Sequence, residues 1–219
     1  MLAQFVLFDG FDPLDTIAPY SVLHAGRLMT EGFLELELVT AEGARRVPSG
    51  IAEVALDATG RLATERADLI VLPGATGLPE GDDFGRDDGI KAIMTRALAT
   101  DLPALLRTAL DRPGLTVATV CGGSLLLALT GLLKGRPATT HRSGLDLLAT
   151  TGATAIDARI VDDGDLITAS SVTSGLDLGL YLVERQLGPR IAHAVEQLFG
   201  HERRGTVWRP TGPAPATAA

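Results

Sequence analysis

With one cysteine, Cys121, in 219 residues, the chain can close no internal disulfide, and no Cys/His cluster with metal-ligand spacing accompanies it. It lacks any apolar run longer than a β-strand needs, so no membrane-spanning segment is expected. The first eight residues lack a basic leader and are too short for a signal peptide; a cytoplasmic location is the expectation. It has no excess of positive charge either. The formal net charge is −8, which argues against nucleic acid as the main partner. No Gly-Lys-Ser/Thr phosphate loop is present: the glycine-containing stretch Gly74-Ala75-Thr76-Gly77 lacks the lysine. No binding motif for an organic cofactor is visible, and no repeat or linker divides the chain.

What is present is a hydrophobic share of 46%, enough for a sizeable core, arranged as alternating strands and helices. Leu2 to Phe8 reads as a strand that is apolar except for Gln4, and a helix follows from about Leu14 to Met29 after the turn Asp9-Gly10-Phe11-Asp12-Pro13. Leu34 to Thr40 and Asp68 to Leu72 read as strands, the second closed by Pro73-Gly74. Glu42 to Asp57 reads as turns around short edge strands, and Ala75 to Gly89 as a loop rich in Gly and Asp. Helices are expected at Ile90 to Leu98 and Leu102 to Leu110, then a central strand from Leu115 to Val120 and a helix running on to about Leu133. Ser143 to Ala149 reads as a helix and Ala158 to Asp162 with Leu166 to Ala169 as a strand pair across Asp163-Gly164. Leu176 to Gln186 is amphipathic, with Ser174 and Asp177 spaced as a capping box, and Arg190 to Phe199 closes the helices. This alternation predicts an α/β fold with a mostly parallel sheet covered on both faces. It is expected to form a single domain over residues 1–209, with a disordered tail over 210–219.

The chain is organised around Val120-Cys121-Gly122-Gly123-Ser124, where a buried strand turns into a helix. A strand that reverses so sharply strains its turn residue and needs small neighbours, which the two glycines supply. A side chain at such an elbow is expected to stand exposed above the sheet. The helix N-terminus beneath it is expected to favour the thiolate, the reactive form of cysteine. Ligand chemistry in open α/β sheets collects at the carboxyl ends of strands. Asp15, Gly74, Cys121 and His141 all lie there or in the adjoining loops. Read without further help, Asp15 serves equally well as a first-turn or capping residue of the first helix. His141 serves equally well as a pocket residue or as a cap for the helix after it. His24, His193 and His201 have no such partners and read as solvated or packing residues.

Five stretches, in this order, resemble the ThiJ/PfpI superfamily with its class I glutamine amidotransferase-like, flavodoxin-like three-layer fold. They are Phe11 to Tyr20, Ile70 to Gly74, Val120 to Ser124, Thr130 to His141 and Val172 to Asp177, and the resemblance spans Met1 to Phe199. The branch of isonitrile hydratases and of the amidase-like halves of certain transcription regulators looks most similar. The resemblance implies that Cys121 is the nucleophile and that Asp15 shares a proton with its thiolate. It also implies that the backbone amides of Gly122 and of Gly74 or Ala75 form an oxyanion hole, and that His141 lies near the site. The chain departs from the family at Gly122, where peptidase-like members carry His and isonitrile hydratases carry Thr. It departs again at Ala75, where a second Gly is usual, and at Arg142, where Trp often stands. The segment between Ala75 and Thr116 is longer than usual, so Glu80 to Arg96 is expected to add a lid or surface helix.

The resemblance points to a cofactor-independent enzyme of the hydratase, lyase or amidase class acting on a small molecule, assembled as a homodimer through apolar faces of the first and late helices. Two alternatives stay open: a glyoxalase or deglycase acting on reactive aldehydes, and a redox or stress sensor that oxidises Cys121 and turns over nothing.

Overall fold

The computed structural model describes residues 1–77 and 89–213. In chain order the elements are β1 (Leu2–Val6), α1 (Pro13–Leu28), β2 (Glu35–Thr40), β3 (Arg45–Pro48), β4 (Ala55–Ala58), β5 (Gly60–Arg61), β6 (Leu69–Leu72), α2 (Ile90–Leu98) and α3 (Leu102–Asp111). Then follow β7 (Thr116–Val120), α4 (Gly123–Leu129), β8 (Pro137–Ala138), α5 (Leu145–Thr150), β9 (Thr154–Ala155), β10 (Ile160–Asp162), β11 (Leu166–Ala169), α6 (Ser174–Leu187) and α7 (Pro189–Phe199).

The central sheet has seven strands in the order β10-β11-β7-β6-β1-β2-β5. Every pairing is parallel except the hairpin of β10 with β11. The period of two along each strand divides the sheet between two cores. In β6, Leu69 and Val71 face the layer of α1, α6 and α7, while Ile70 and Leu72 face the layer of α2 to α5. The fold is therefore the three-layer α/β sandwich read from the sequence. The polar exception in β1 is accounted for: Gln4, fully buried, donates to Glu37 Oε2 at 2.7 Å and accepts from the Ala63 amide at 2.9 Å.

Two expectations are corrected. The helix after Cys121 stops at Leu129 instead of reaching Leu133; Thr130 folds its hydroxyl back onto the Leu127 carbonyl at 2.8 Å, and Gly131 follows at φ +77°. The capping box does not form. Thr173 is the N-cap of α6, the Ser174 hydroxyl has no hydrogen-bond partner among the described residues, and Asp177 binds Arg159 instead. A full guanidinium is a stronger partner for a buried carboxylate than one backbone amide. His201 is a packing residue against α6, with its Nε2 3.4 Å from Asp177 Oδ2 but without a hydrogen-bond partner among the described residues. In the added segment between Ala75 and Thr116, α2 is a helix over Ile90–Leu98; of the lid or surface helix expected over Glu80 to Arg96, residues 80–88 lie outside the described residues, as do residues 214–219 of the tail expected over 210–219. None of the helices among the described residues is long and apolar enough to cross a membrane.

Candidate active site

The parallel strands β1, β6 and β7 deliver their carboxyl ends side by side, and each end contributes one part of the site. After β7 the chain turns through Cys121, a non-glycine residue held at φ +54°, a conformation that costs on the order of 1 kcal/mol and persists only where its surroundings enforce it. The enforcement is visible. The Cys121 amide donates to the Ala169 carbonyl at 3.0 Å. The Cys121 carbonyl accepts from Thr140 Oγ1 at 3.0 Å and from Ser124 Oγ at 3.5 Å. The next turn packs so tightly that a Cβ on Gly123 would sit 2.3 Å from the Leu72 carbonyl oxygen.

After β1 the chain enters α1, whose N-cap is Asp12. Asp12 Oδ1 accepts from the Leu14 amide at 2.9 Å and the Asp15 amide at 3.4 Å, and Oδ2 accepts from the Thr76 hydroxyl. With the cap role taken by Asp12 and Pro13 at the first helical position, as such helices prefer, the side chain of Asp15 is free to turn inward. It is wholly buried. Its Oδ2 accepts from the Gly74 amide at 2.9 Å, and its Oδ1 has no hydrogen-bond partner among the described residues. Gly74 has no room for a side chain, because a Cβ there would meet the Gly122 nitrogen at 2.7 Å and Asp15 Oδ2 at 3.0 Å.

The Cys121 sulfur lies beside the Asp15 carboxyl, close enough for each group to bear on the other's proton. Burial pushes Asp15 up to about 8, with the Asp12 charge adding to the shift and the Gly74 amide opposing it. Burial also pushes the Cys121 thiol up, helped by the Asp15 charge, while the Gly122 amide pulls it down. This corrects the expectation of an exposed, readily ionised thiol: Cys121 is only 7% exposed. Helix α4, seven residues long, contributes one amide against the loss of hydration, and the loss wins. Both groups therefore hold their protons at neutral pH.

A cavity of about 320 Å³ opens above the sulfur. Ala75, Cys121, Gly122 and His141 line it together with Asp12 and the apolar Met94. Asp15 and Gly74 are not in its wall; they lie under Cys121 and form the site's foundation. The two candidate donors of an oxyanion hole also separate. The Gly74 amide is committed to Asp15, whereas the Ala75 amide, next to the Phe11 bridge, donates no hydrogen bond among the described residues. His141 is both things the sequence left open: it faces the cavity, and its Nδ1 accepts from the Ser143 amide at 3.3 Å as the cap of a short 3₁₀ turn. Sequence reasoning missed Asp12 and Thr140. An Asp directly before a Pro that opens a helix is a recognisable N-cap signal, but nothing local marks Thr140 as a support of Cys121, nineteen residues away. Among the described residues no group of His, Cys, Asp and Glu could hold a metal ion.

The chain is similar to several known proteins. Isonitrile hydratase from Pseudomonas putida is 44% identical over 80 residues, 36% of this chain and 35% of that protein. Protein DJ-1 homolog A from Arabidopsis thaliana is 27% identical over 193 residues, 87% of this chain and 44% of that one. The chain thus spans less than half the length of these curated relatives. Among solved structures, a ThiJ/PfpI family protein from Pseudomonas syringae superposes with a TM-score of 0.73 at 27% identity, over 99% of this chain and 78% of that one. Drosophila melanogaster DJ-1beta shares the fold with a TM-score of 0.72 at 20% identity, over 90% of this chain and 96% of the other. The DJ-1/PfpI family itself matches residues 1–185, and with the strand-end elbow, the sheet order and the buried acid in place, the chain belongs to that family.

Proposed function

We propose that the chain is a cysteine-dependent enzyme of isonitrile hydratase type, adding water to a small electrophile without a cofactor. The observation that carries this reading is the pairing of Cys121 with the buried, proton-holding Asp15 beneath a cavity walled by the Gly122 and Ala75 amides. Applied to an isonitrile, the thiol adds across the terminal carbon: sulfur bonds to that carbon, and the proton held by the Cys121–Asp15 pair passes to the same carbon. The product of this step is a thioimidate. Water then adds to the thioimidate carbon, the sulfur departs as the thiol, and an N-substituted formamide is released. The Gly122 and Ala75 amides steady the charge on the atoms attached to that carbon, and such preorganised donors contribute the larger share of catalysis in acyl-type chemistry. His141, at the cavity rim, relays protons with water. Family likeness to isonitrile hydratase over part of the chain supports the reading.

Gly122 supplies no hydroxyl beside the nucleophile, and that feature favours a second reading within the same chemistry, in which the electrophile is an amide or a reactive aldehyde. A redox sensor is disfavoured by the burial of Cys121 and its raised thiol, since oxidation selects exposed thiolates. The homodimer belongs to this proposal as well, with exposed Leu14 and Ile17 on α1 and Leu198 on α7 as candidate contacts.

The test is turnover of an alkyl isonitrile to its formamide, followed by chromatography. Cys121→Ala is expected to abolish it and Asp15→Asn to lower it by about 10²- to 10⁴-fold, the usual worth of a positioned acid–base group. Undiminished turnover in Cys121→Ala would sink the mechanism; absence of turnover with isonitriles, amides and glyoxals alike would sink the enzyme reading.

A further inference from the structure

The wall of the Cys121 cavity carries one carboxylate and, among the described residues, no lysine or arginine. That carboxylate is Asp12. It is 8% exposed, and it is fixed by three donors: the Leu14 amide at 2.9 Å, the Asp15 amide at 3.4 Å and the Thr76 hydroxyl. An acceptor-only group with three donors has little freedom to swing away, and its N-cap duty keeps it where it is. Thr76 sits on the same loop as Ala75, and its amide donates to the Gly10 carbonyl at 3.1 Å, so the carboxylate ties the mouth of α1 to the loop that brings the Ala75 amide. The rest of the wall includes Ile90, Met94, Leu125 and Val172, with His141 and Ser143 at its polar edge. An anionic substrate group entering here meets a fixed like charge in a partly dehydrated space and finds no described lysine or arginine to offset it. An uncharged substrate with a compact apolar body meets no such penalty, and a basic nitrogen gains a partner.

We propose that Asp12 is a specificity-determining residue that makes the Cys121 cavity reject carboxylate- and phosphate-bearing electrophiles and accept uncharged or amine-bearing ones. The inference deepens the functional reading above by naming the charge class of its substrate, and it rests on that reading only for what the cavity is used for. Asp15 is not the source of the discrimination near neutral pH, because a carboxyl pushed up to about 8 is then largely protonated, and it lies below the wall.

The test uses alkylation of Cys121, which needs no turnover. Iodoacetamide and iodoacetate are nearly the same size and react alike: a sulfur–carbon bond forms, iodide leaves and the thiol proton goes to solvent. They differ in one negative charge. Rates are measured at pH 7 on the whole chain by mass spectrometry, with 2-mercaptoethanol as the uncharged reference thiol. The iodoacetamide-to-iodoacetate ratio is expected to exceed the reference ratio by about tenfold or more. Asp12→Asn, which keeps a side chain equally suited to cap α1, is expected to bring the ratio back towards the reference. Bromoethylamine should show the opposite trend, reacting relatively faster with the wild type than with Asp12→Asn. A wild-type ratio equal to the reference overturns the proposal without any variant, and a raised ratio unchanged in a folded Asp12→Asn overturns the assignment to Asp12. A chain that hydrates no isonitrile yet shows the charge selectivity would refute the reaction and leave this inference standing.

Discussion

Two regions of the molecule bury acids, and they treat them in opposite ways. At the far side of α6, Asp177 is 1% exposed and meets Arg159 at 2.5 Å, His201 at 3.4 Å and the Arg204 amide at 2.7 Å. Nearby, Asp162 is met by Arg185 and Arg209, each at 3.2 Å, and by the Tyr181 hydroxyl. These carboxylates are surrounded by donors and positive charge, and they fasten the segment after α7 onto α6 and β10. At the carboxyl ends of β1, β6 and β7, Asp15 is more deeply buried still but receives a single amide. Its nearest charged neighbour is another acid, Asp12, which raises it further. The first arrangement is what stability alone requires of a buried charge. The second is costly for folding and keeps a carboxyl protonated at neutral pH, beside the chain's one sulfhydryl. Unmatched burial of this kind marks Asp15 and Cys121 as a candidate functional site.

The largest expected effect follows from that mismatch. A carboxyl ordinarily near 3.8 that is held at about 8 in the folded chain binds its proton more tightly folded than unfolded. Its contribution to stability is complete below about pH 4 and falls away as pH rises through 8. The slope is about 1.4 kcal/mol per pH unit within that window. Asp15→Asn does not titrate, so the stability of the variant relative to wild type should climb steadily from pH 5 to pH 8. Urea unfolding at several pH values reads this, and a relative stability flat with pH would show that Asp15 ionises like an exposed acid.

The matched region should respond in the other sense. Asp177→Ala strips Arg159 and the Arg204 amide of their common partner and leaves them half-buried without it. A loss of about 3 kcal/mol is expected, the cost of breaking a buried pair from one side. Thermal unfolding at neutral pH is the measurement. A loss below 1 kcal/mol would mean that the two regions differ less than their contacts indicate.

How much of this contrast can be read from residues in order differs between the regions. The elbow was legible because its parts are contiguous: a run of apolar β-formers, a cysteine and two glycines within eight positions. The mostly parallel sheet covered on both faces followed from the alternation of strands and helices, whereas the order of its strands did not, and Asp15 was singled out only through the family resemblance of the stretch around it. The ionic cluster was not legible, since Arg159, Asp177, His201 and Arg204 come from three separate stretches and their spacing carries no period. Ser174 and Asp177 even imitate a capping box, and the decoy fails because a guanidinium brought in by β10 outcompetes the local amide. The state of the thiol was not legible for a related reason. The turn predicts a helix N-terminus, but burial is a property of the whole packed layer, and it outweighs one amide of a short helix.

The smallest expected effect tests whether the elbow is held by so few contacts beside the ionic cluster. The strained turn at Cys121 is supported by neutral contacts only: its amide on the Ala169 carbonyl, and its carbonyl under the hydroxyls of Thr140 and Ser124. Thr140 is fully buried and supplies the shorter of the two hydroxyl bonds. Thr140→Val keeps the volume and removes the donor, leaving the Cys121 carbonyl with the longer Ser124 contact at 3.5 Å. A stability loss of about 1 kcal/mol is expected, the worth of one neutral hydrogen bond. Because the lost bond is the one that pins the positive-φ residue, the iodoacetamide rate at Cys121 should change as well, severalfold, whereas a valine placed at a merely structural position would leave it alone. If the rate stays fixed while stability falls, the elbow is held by its packing against Leu72 and Gly74 and not by Thr140, and the strained thiol is as firmly built as the ion pairs on the far side of α6.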